Sequence, residues 1–363
     1  MCSIPTTRSL RALSSAEAHV HADADVIVVG AGICGAAAAH FLAGRGRSVI
    51  VLDRDGVAEG TSARGEGNVL LCDKLPGPER ELTVHGRDLW ETLGRRFPQA
   101  RVARVGSLLL SRDVGDGDAA MLEPALAQGV TAVHEPGDLM VDAPAMARAL
   151  LDGIDVRTGA EVVAIADRAV DLVGGGRLAA PDIVVCTGPW AGRLTGLPVA
   201  PRKGQLVALA APAGERLVRH KLIEAAYVDA VTSDDAELQV AGVIEQTLDG
   251  DEILVGSSRQ RVGFDETVDP AVTDAMLARA IQWVPVLAGL TVTRAWAGLR
   301  PWLPDHLPAI GPLGLADDGG LWTSTGHEGS GVALGPVSGL LLAQLICGEP
   351  PLVDPAPFDP RRF

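Results

Sequence analysis

Asp25-Val26-Ile27-Val28-Val29-Gly30-Ala31-Gly32-Ile33-Cys34-Gly35 joins a run of β-branched residues to glycines spaced G-x-G-x-x-G, and Ala36–Ala39 follows at once. The pattern reads as a buried parallel strand, a tight turn and the start of a helix. The three glycines serve different ends. Gly30 permits the turn, Gly32 lets backbone approach a pyrophosphate, and Gly35 allows close helix–strand packing. The free N–H groups beginning at Ile33 and the positive helix end would meet the phosphates. A second apolar run, Ser48 to Leu52, ends at Asp53, 23 positions after Gly30. That is close to the roughly 20 expected for an acid that accepts ribose hydroxyls. The stretch predicts a dinucleotide site.

The chain of 363 residues is long enough for about two domains. Its hydrophobic share of 47% supports a sizeable core, filled by aliphatic side chains because aromatics are only 3%. A net charge of −15 argues against nucleic acid and anionic membrane surfaces as partners. The five cysteines are scattered and lack CxxC pairing, which predicts a reducing cytoplasm, no disulfide framework and no metal site. Residues 1–24 predict a loose arm without a signal peptide, and no stretch is read as a transmembrane helix.

Arg54 follows the acid, and a small polar loop carries Gly60, Thr61, Ser62, Arg64, Gly65, Glu66, Gly67 and Asn68. Such a loop can turn amides and hydroxyls onto phosphates and a ring system, or be a plain surface loop. A helix is predicted over 79–97 with Leu82, Leu89, Trp90 and Leu93 on one face, a strand over Val102–Leu110, an acidic loop at 113–118 and a short helix over Met121–Gln128. Strands are expected at Ile154–Arg157 and at Glu161–Ala166, which includes Val163. Asp182–Cys186 then runs into the turn Thr187-Gly188-Pro189-Trp190, a second place where a strand end can meet the cofactor, or an ordinary turn. From 201 to 299 alternation predicts an antiparallel sheet, with strands at Gln205–Ala210, Glu237–Ile244, Glu252–Ser257 and 291–297, and a helix at 270–284.

Gly298-Leu299-Arg300-Pro301-Trp302 opens a proline-stiffened stretch that also holds His306. Strand-like Leu321–Ser324 ends in Thr325-Gly326-His327-Glu328-Gly329-Ser330-Gly331-Val332, and a helix continues to about Ile346. This second strand–glycine–helix unit is superfluous in a nicotinamide dehydrogenase. It suits a flavoprotein, where a later helix N-terminus faces the anionic side of the flavin.

Together GAGICG, GTSARGEGN, VVCTGPWA, GLRPWLPDHLPAIG and TGHEGSGVALGP resemble the FAD-dependent D-amino acid oxidase superfamily, nearest its glycine oxidase, sarcosine oxidase and D-hydroxyproline dehydrogenase-like branch. The resemblance implies an α/β fold: a discontinuous Rossmann-like FAD-binding domain of glutathione reductase type over 25–75, 140–200 and 297–350. It implies a largely antiparallel substrate domain over 76–139 and 201–296, leaving 351–363 as a tail. It also implies hydride transfer from a small amino or imino acid to flavin, giving an imine and then a 2-oxo acid. The electron acceptor is either oxygen or a partner, as in a dehydrogenase subunit, and a homo-oligomeric state stays open. Arg300 matches the family's carboxylate-binding arginine, with a structural ion pair as the alternative. Tyr227 assists substrate binding or simply packs; His327 tunes the flavin, contacts substrate, or is only hydrogen-bonded. Val163, Thr187, Gly188, Trp190, Gly298, Gly326 and Glu328 to Val332 complete the expected cofactor contacts. The absence of cysteine from Trp296–Gly311, where sarcosine oxidases attach their flavin, implies non-covalent FAD.

Overall fold

A computed structural model describes residues 22–112, 119–228, 238–316 and 319–363. Most of the expected arm 1–24, the expected loop 113–118 and Glu237 of an expected strand lie outside the described residues. The first sheet has six strands in the order Ala309–Ala316, Gly319–Thr325, Asp182–Val185, Val26–Val29, Val49–Leu52, Asp155–Arg157. All neighbours run parallel except the first pair, an antiparallel hairpin. Alternation sorts the opening strand between two cores. Val26 and Val28 join a cluster with helix Ile33–Ala43, while Ile27 and Val29 face a three-stranded meander that supplies Val162 and Val170.

The closing helix Gly331–Ile346 lies against helix Ile33–Ala43, and small residues make that contact. A Cβ on Gly339 would stand 2.5 Å from Ala38 N, so the alanine run and this glycine fix how near the two backbones come. With its preceding turn, this helix (Glu328–Ile346, mean hydropathy 1.5) is long and apolar enough to cross a membrane, contrary to the sequence reading. More than half of it is buried inside the protein, between two other helices.

The second sheet has seven strands in the order Val292–Trp302, Ala200–Ala210, Glu252–Gln260, Leu238–Gln246, Lys221–Glu224, Ser107–Ser111, Thr131–Glu135. Only Lys221–Glu224 and Ser107–Ser111 pair in parallel. Helix Pro270–Trp283 covers it, burying Met276, Ala280 and Trp283 in a core of its own.

Several local expectations are corrected. No helix spans Met121–Gln128: a single 3₁₀ turn, Ala119–Met121, precedes irregular chain, because Pro124 cannot donate within a helix. The strand expected over Val102–Leu110 is split into Ala103–Arg104 and Ser107–Ser111 at Gly106, whose φ is +69°. The strand expected at 291–297 extends to Trp302, so Arg300 sits on a paired strand rather than in stiffened coil. Tyr227 lies in a helical turn beyond strand Lys221–Glu224. Helix Pro78–Arg96, expected with the substrate layer, instead packs on the closing helix, with Leu82, Trp90 and Leu93 in the first sheet's core.

Candidate active site

A cavity of about 380 Å³ runs along the carboxyl end of the parallel sheet and across to the second sheet. At its near end stands the glycine turn. Gly30 has φ +105°, and a Cβ there would press on Cys186 O at 2.5 Å. Gly32 and Ile33 line the cavity, and Ile33 N donates to Ser62 Oγ at 3.1 Å. Gly35 does not line it; a Cβ there would strike Gly30 O, so this glycine serves helix–strand packing. Asp53 accepts from Ala31 N at 2.7 Å and Asp55 N at 2.9 Å. A carboxylate offers about four lone-pair sites, so capacity for hydroxyl groups remains. Arg54 covers the Trp190 ring at 3.9 Å, Trp190 stacks on Phe264, and Val163 lines the same end.

The small polar loop forms the middle of the wall. It contains a helical turn, Thr61–Arg64, and is tied to the second sheet: Thr61 Oγ1 donates to Leu299 O at 2.8 Å, and Trp296 Nε1 donates to Arg64 O at 3.0 Å. Gly298 leaves room for the Arg64 side chain, and Gly67 turns at φ +81°. Asn68, Thr187 and Gly188 line the wall beside them.

At the far end Tyr227, Arg300 and the turn 327–332 come together. A Cβ on Gly329 would lie 3.7 Å from Tyr227 Oη and 4.0 Å from Arg300 Nε. Arg300 Nη1 donates to Ser258 O at 2.9 Å, and no carboxylate forms an ion pair with Arg300 among the described residues. Burial, and then the neighbouring Arg259 charge, push its pKa down. Glu328 is engaged elsewhere: Oε1 accepts from Arg202 at 2.6 Å and faces Arg259 at 3.7 Å, while Oε2 meets His306 at 3.3 Å. Burial opposes its ionisation, but the His306 contact and the cluster of arginines hold it at about 2. Arg259 lies over the Tyr227 ring at 4.3 Å. Three arginines, Arg202, Arg259 and Arg300, thus act on one glutamate.

His327 is buried; its Nε2 is 3.0 Å from Ser338 Oγ, and burial lowers its pKa to about 4, so the ring is neutral at neutral pH. The closing helix has no side-chain N-cap, which leaves the first-turn amides beginning at Gly331 available to the cavity. Gly326 does not line the cavity; at φ +78° it makes way for Leu303.

Sequence reasoning passed over Glu66, Asp73, Lys74, Arg202 and Arg259. Lys74 lines the cavity near Tyr227. Burial would lower its pKa, but Asp73 at 3.0 Å and Glu79 raise it. Glu66 was visible within the quoted loop, whereas nothing local marks Arg202 or Arg259.

The cavity suits a dinucleotide bearing a ring system. Glycine backbones line its near half, and Thr187 Oγ1, Asn68 Oδ1 and Ser257 Oγ are buried in its wall without a hydrogen-bond partner among the described residues. Hydroxyl and N–H groups of a bound cofactor are the donors and acceptors such atoms lack.

A glycine turn at the carboxyl end of a parallel sheet, a second helix N-terminus and an antiparallel lid layer together define a two-layer flavoprotein oxidoreductase. The chain belongs to the family of FAD dependent oxidoreductases, whose model matches residues 25–345. It is 30% identical to a glycine oxidase of Pseudomonas aeruginosa over 92% of this chain and 98% of that one. The crystal structure of a glycine oxidase from Geobacillus kaustophilus superposes with a TM-score of 0.81 at 26% identity, covering 94% of this chain and 99% of that one. An iminodiacetate oxidase from Chelativorans sp. follows at 0.77 and 26%, covering 92% and 98%. The protein is therefore an FAD-dependent enzyme.

Proposed function

We propose that the protein oxidises the carbon–nitrogen bond of a small amino- or imino-carboxylate to an imine, which water hydrolyses to a 2-oxo acid. The observation that carries this reading is Arg300, a cavity-lining guanidinium that among the described residues bonds to a backbone carbonyl and to no carboxylate. A planar fork without an acidic partner is matched to a carboxylate. FAD, held without a covalent bond by the two glycine-rich units, supplies the two-electron acceptor.

The chain's own groups bind, orient and screen. Arg300 fixes the substrate carboxylate, and Tyr227 closes the same corner, its ring backed by Arg259. The amides at the start of the closing helix favour negative charge nearby. Neutral His327 adds no competing charge. The glycine oxidase relatives support molecular oxygen as the final acceptor and do not favour an electron-transfer subunit. The unpaired cysteines Cys34, Cys72, Cys186 and Cys347 support a cytoplasmic setting.

The test is the visible spectrum of the purified, FAD-loaded protein without oxygen, before and after glycine, sarcosine, longer N-alkyl glycines, D-proline and neutral D-amino acids. Bleaching of the flavin band by one of them, with peroxide formed on readmission of air, is the expected result. A flavin band unmoved by every amine would overturn the assignment.

A further inference from the structure

Behind the cavity wall lies a group of charges that the binding scheme above does not use. Lys221 is fully buried; its Nζ donates to Glu245 Oε2 at 2.8 Å and stands 3.1 Å from Glu66 Oε2. Glu66 belongs to the small polar loop and lines the cavity, while Glu245 lies behind it on strand Leu238–Gln246. Asn68 Nδ2 donates to the same Glu66 oxygen at 2.9 Å. The second oxygen of each carboxylate, Glu66 Oε1 and Glu245 Oε1, is buried with no hydrogen-bond partner among the described residues. Beside them Ser257, 4% exposed, lines the cavity with an equally unpartnered hydroxyl.

One lysine cannot neutralise two carboxylates, and in a dry interior the surplus charge finds no water to solvate it. A single added proton would bring the group to neutrality and give one orphaned oxygen its hydrogen. The charges on surrounding elements are otherwise engaged. Glu224 on strand Lys221–Glu224 pairs with Arg279 of helix Pro270–Trp283 and accepts from Gly242 N. Asp138 accepts from Ser107 on the adjoining strand. Arg300 on strand Val292–Trp302 bonds to Ser258 O, and Glu66 contributes to its electrostatic surroundings.

We propose that Glu66, Lys221 and Glu245 form one proton acceptor in the cavity wall, which takes an N–H proton from the ammonium group of an arriving substrate. The inference rests on the amine-oxidation reading and extends it: the preferred substrate is an amine that arrives protonated, its carboxylate at Arg300 and its nitrogen towards Glu66. In the step, one N–H bond breaks and one carboxyl O–H bond forms. The positive charge leaves nitrogen, the group passes from net −1 to neutral, and no other bond or electron pair moves. The lone pair so freed is what loss of hydride from the adjacent carbon requires. Burial pushes the Glu245 carboxyl up; Lys221 opposes this and Glu66 reinforces it, so the acceptor keeps its proton to higher pH than an ordinary carboxylate does.

Three measurements on the FAD-loaded protein test this. Infrared difference spectra between acid and alkaline pH, with no substrate, should show the carbonyl stretch of a protonated carboxyl that titrates near neutrality and vanishes in Glu245→Gln. Binding of 2-aminoisobutyrate, which has no α-hydrogen to lose, is then followed in weak buffer with an indicator dye, slightly above neutral pH. The wild type should release no net proton, because the proton moves within the complex. Glu245→Gln should release up to one per ligand bound, and isobutyrate should release none from either. With a reactive amine, kcat/KM of the wild type should rise through neutral pH, and the variant should fall by about a hundredfold there. Equal proton release from both proteins, a carboxyl band that persists in the variant, or a wild-type flavin spectrum that 2-aminoisobutyrate leaves unperturbed would each overturn the proposal. Glu66→Gln gives the same comparison from the cavity side if Glu245→Gln does not fold. A band lost in the variant, together with no amine reducing the flavin, would instead overturn the amine reading beneath it.

Discussion

Replacing Arg300 with Met separates a substrate-binding arginine from a structural one. The guanidinium is partly withdrawn from water, lies near Arg259 and has one hydrogen bond among the described residues, to Ser258 O at 2.9 Å. A partly buried cation with so little compensation is tolerated rather than stabilising, and an apolar side chain of similar length is expected to leave stability unchanged or raise it by about 1 kcal/mol. Catalysis should move the other way. A charge-assisted contact to a carboxylate contributes about 3 kcal/mol at its upper range, so kcat/KM should fall on the order of a hundredfold. Thermal unfolding of the FAD-loaded protein, paired with anaerobic reduction of the flavin at low substrate, reads both quantities. Arg300→Met that unfolds more readily by about 2 kcal/mol yet keeps kcat/KM within a few-fold of wild type would show that the arginine holds the fold and not the substrate.

Gly204→Ala should act on the same group indirectly, because its Cβ would land on the Arg300 guanidinium. About tenfold lower kcat/KM with FAD content unchanged is expected, and full activity would mean that the arginine has a second productive position. Gly32→Val fills the space through which a pyrophosphate approaches the turn, so the protein should purify colourless; a stoichiometric flavin spectrum would contradict that placement. His327 is held neutral by burial, its pKa down at about 4. The folded form then binds fewer protons than the unfolded chain between about 4 and the usual histidine value near 6.5. Stability contributed by the neutral ring is complete above that upper value and is lost as pH falls through the window, by at most about 3 kcal/mol. His327→Gln should flatten this part of the pH–stability curve, and an unchanged curve would refute the assignment.

The glycine turn, the second strand–turn–helix unit and Arg300 were legible because each is written in contiguous residues: β-branched runs, glycines at fixed offsets, an arginine between glycine and proline. Helix Pro78–Arg96 was legible as an amphipathic helix, but its pattern states only that one face is buried, not that Trp90 Nε1 donates to Val332 O on the closing helix. Met121–Gln128 has helix-forming residues on both sides of Pro124, but the proline's missing N–H leaves only the turn Ala119–Met121. Glu66, Lys221 and Glu245 are separated by 155 and 24 positions and meet only through sheet register. Arg259 and Glu328 are brought together in the same way, and no local signal marks such pairs.

The pairing of helix Ile33–Ala43 with helix Gly331–Ile346 joins two segments almost three hundred residues apart in the chain. The cavity's walls therefore combine residues 29–74, a middle group over 160–257, and residues 298–333, which are synthesised well over two hundred residues after the first. Contacts at such separation close slowly, since the entropy of the intervening loop is lost before they reward it. During translation the face of the first helix that meets the closing helix lacks that partner, and the cavity lacks one of its walls. A cavity assembled in this way is complete only after Gly331–Ile346 has been made, and until then the nascent protein carries an uncovered apolar stripe.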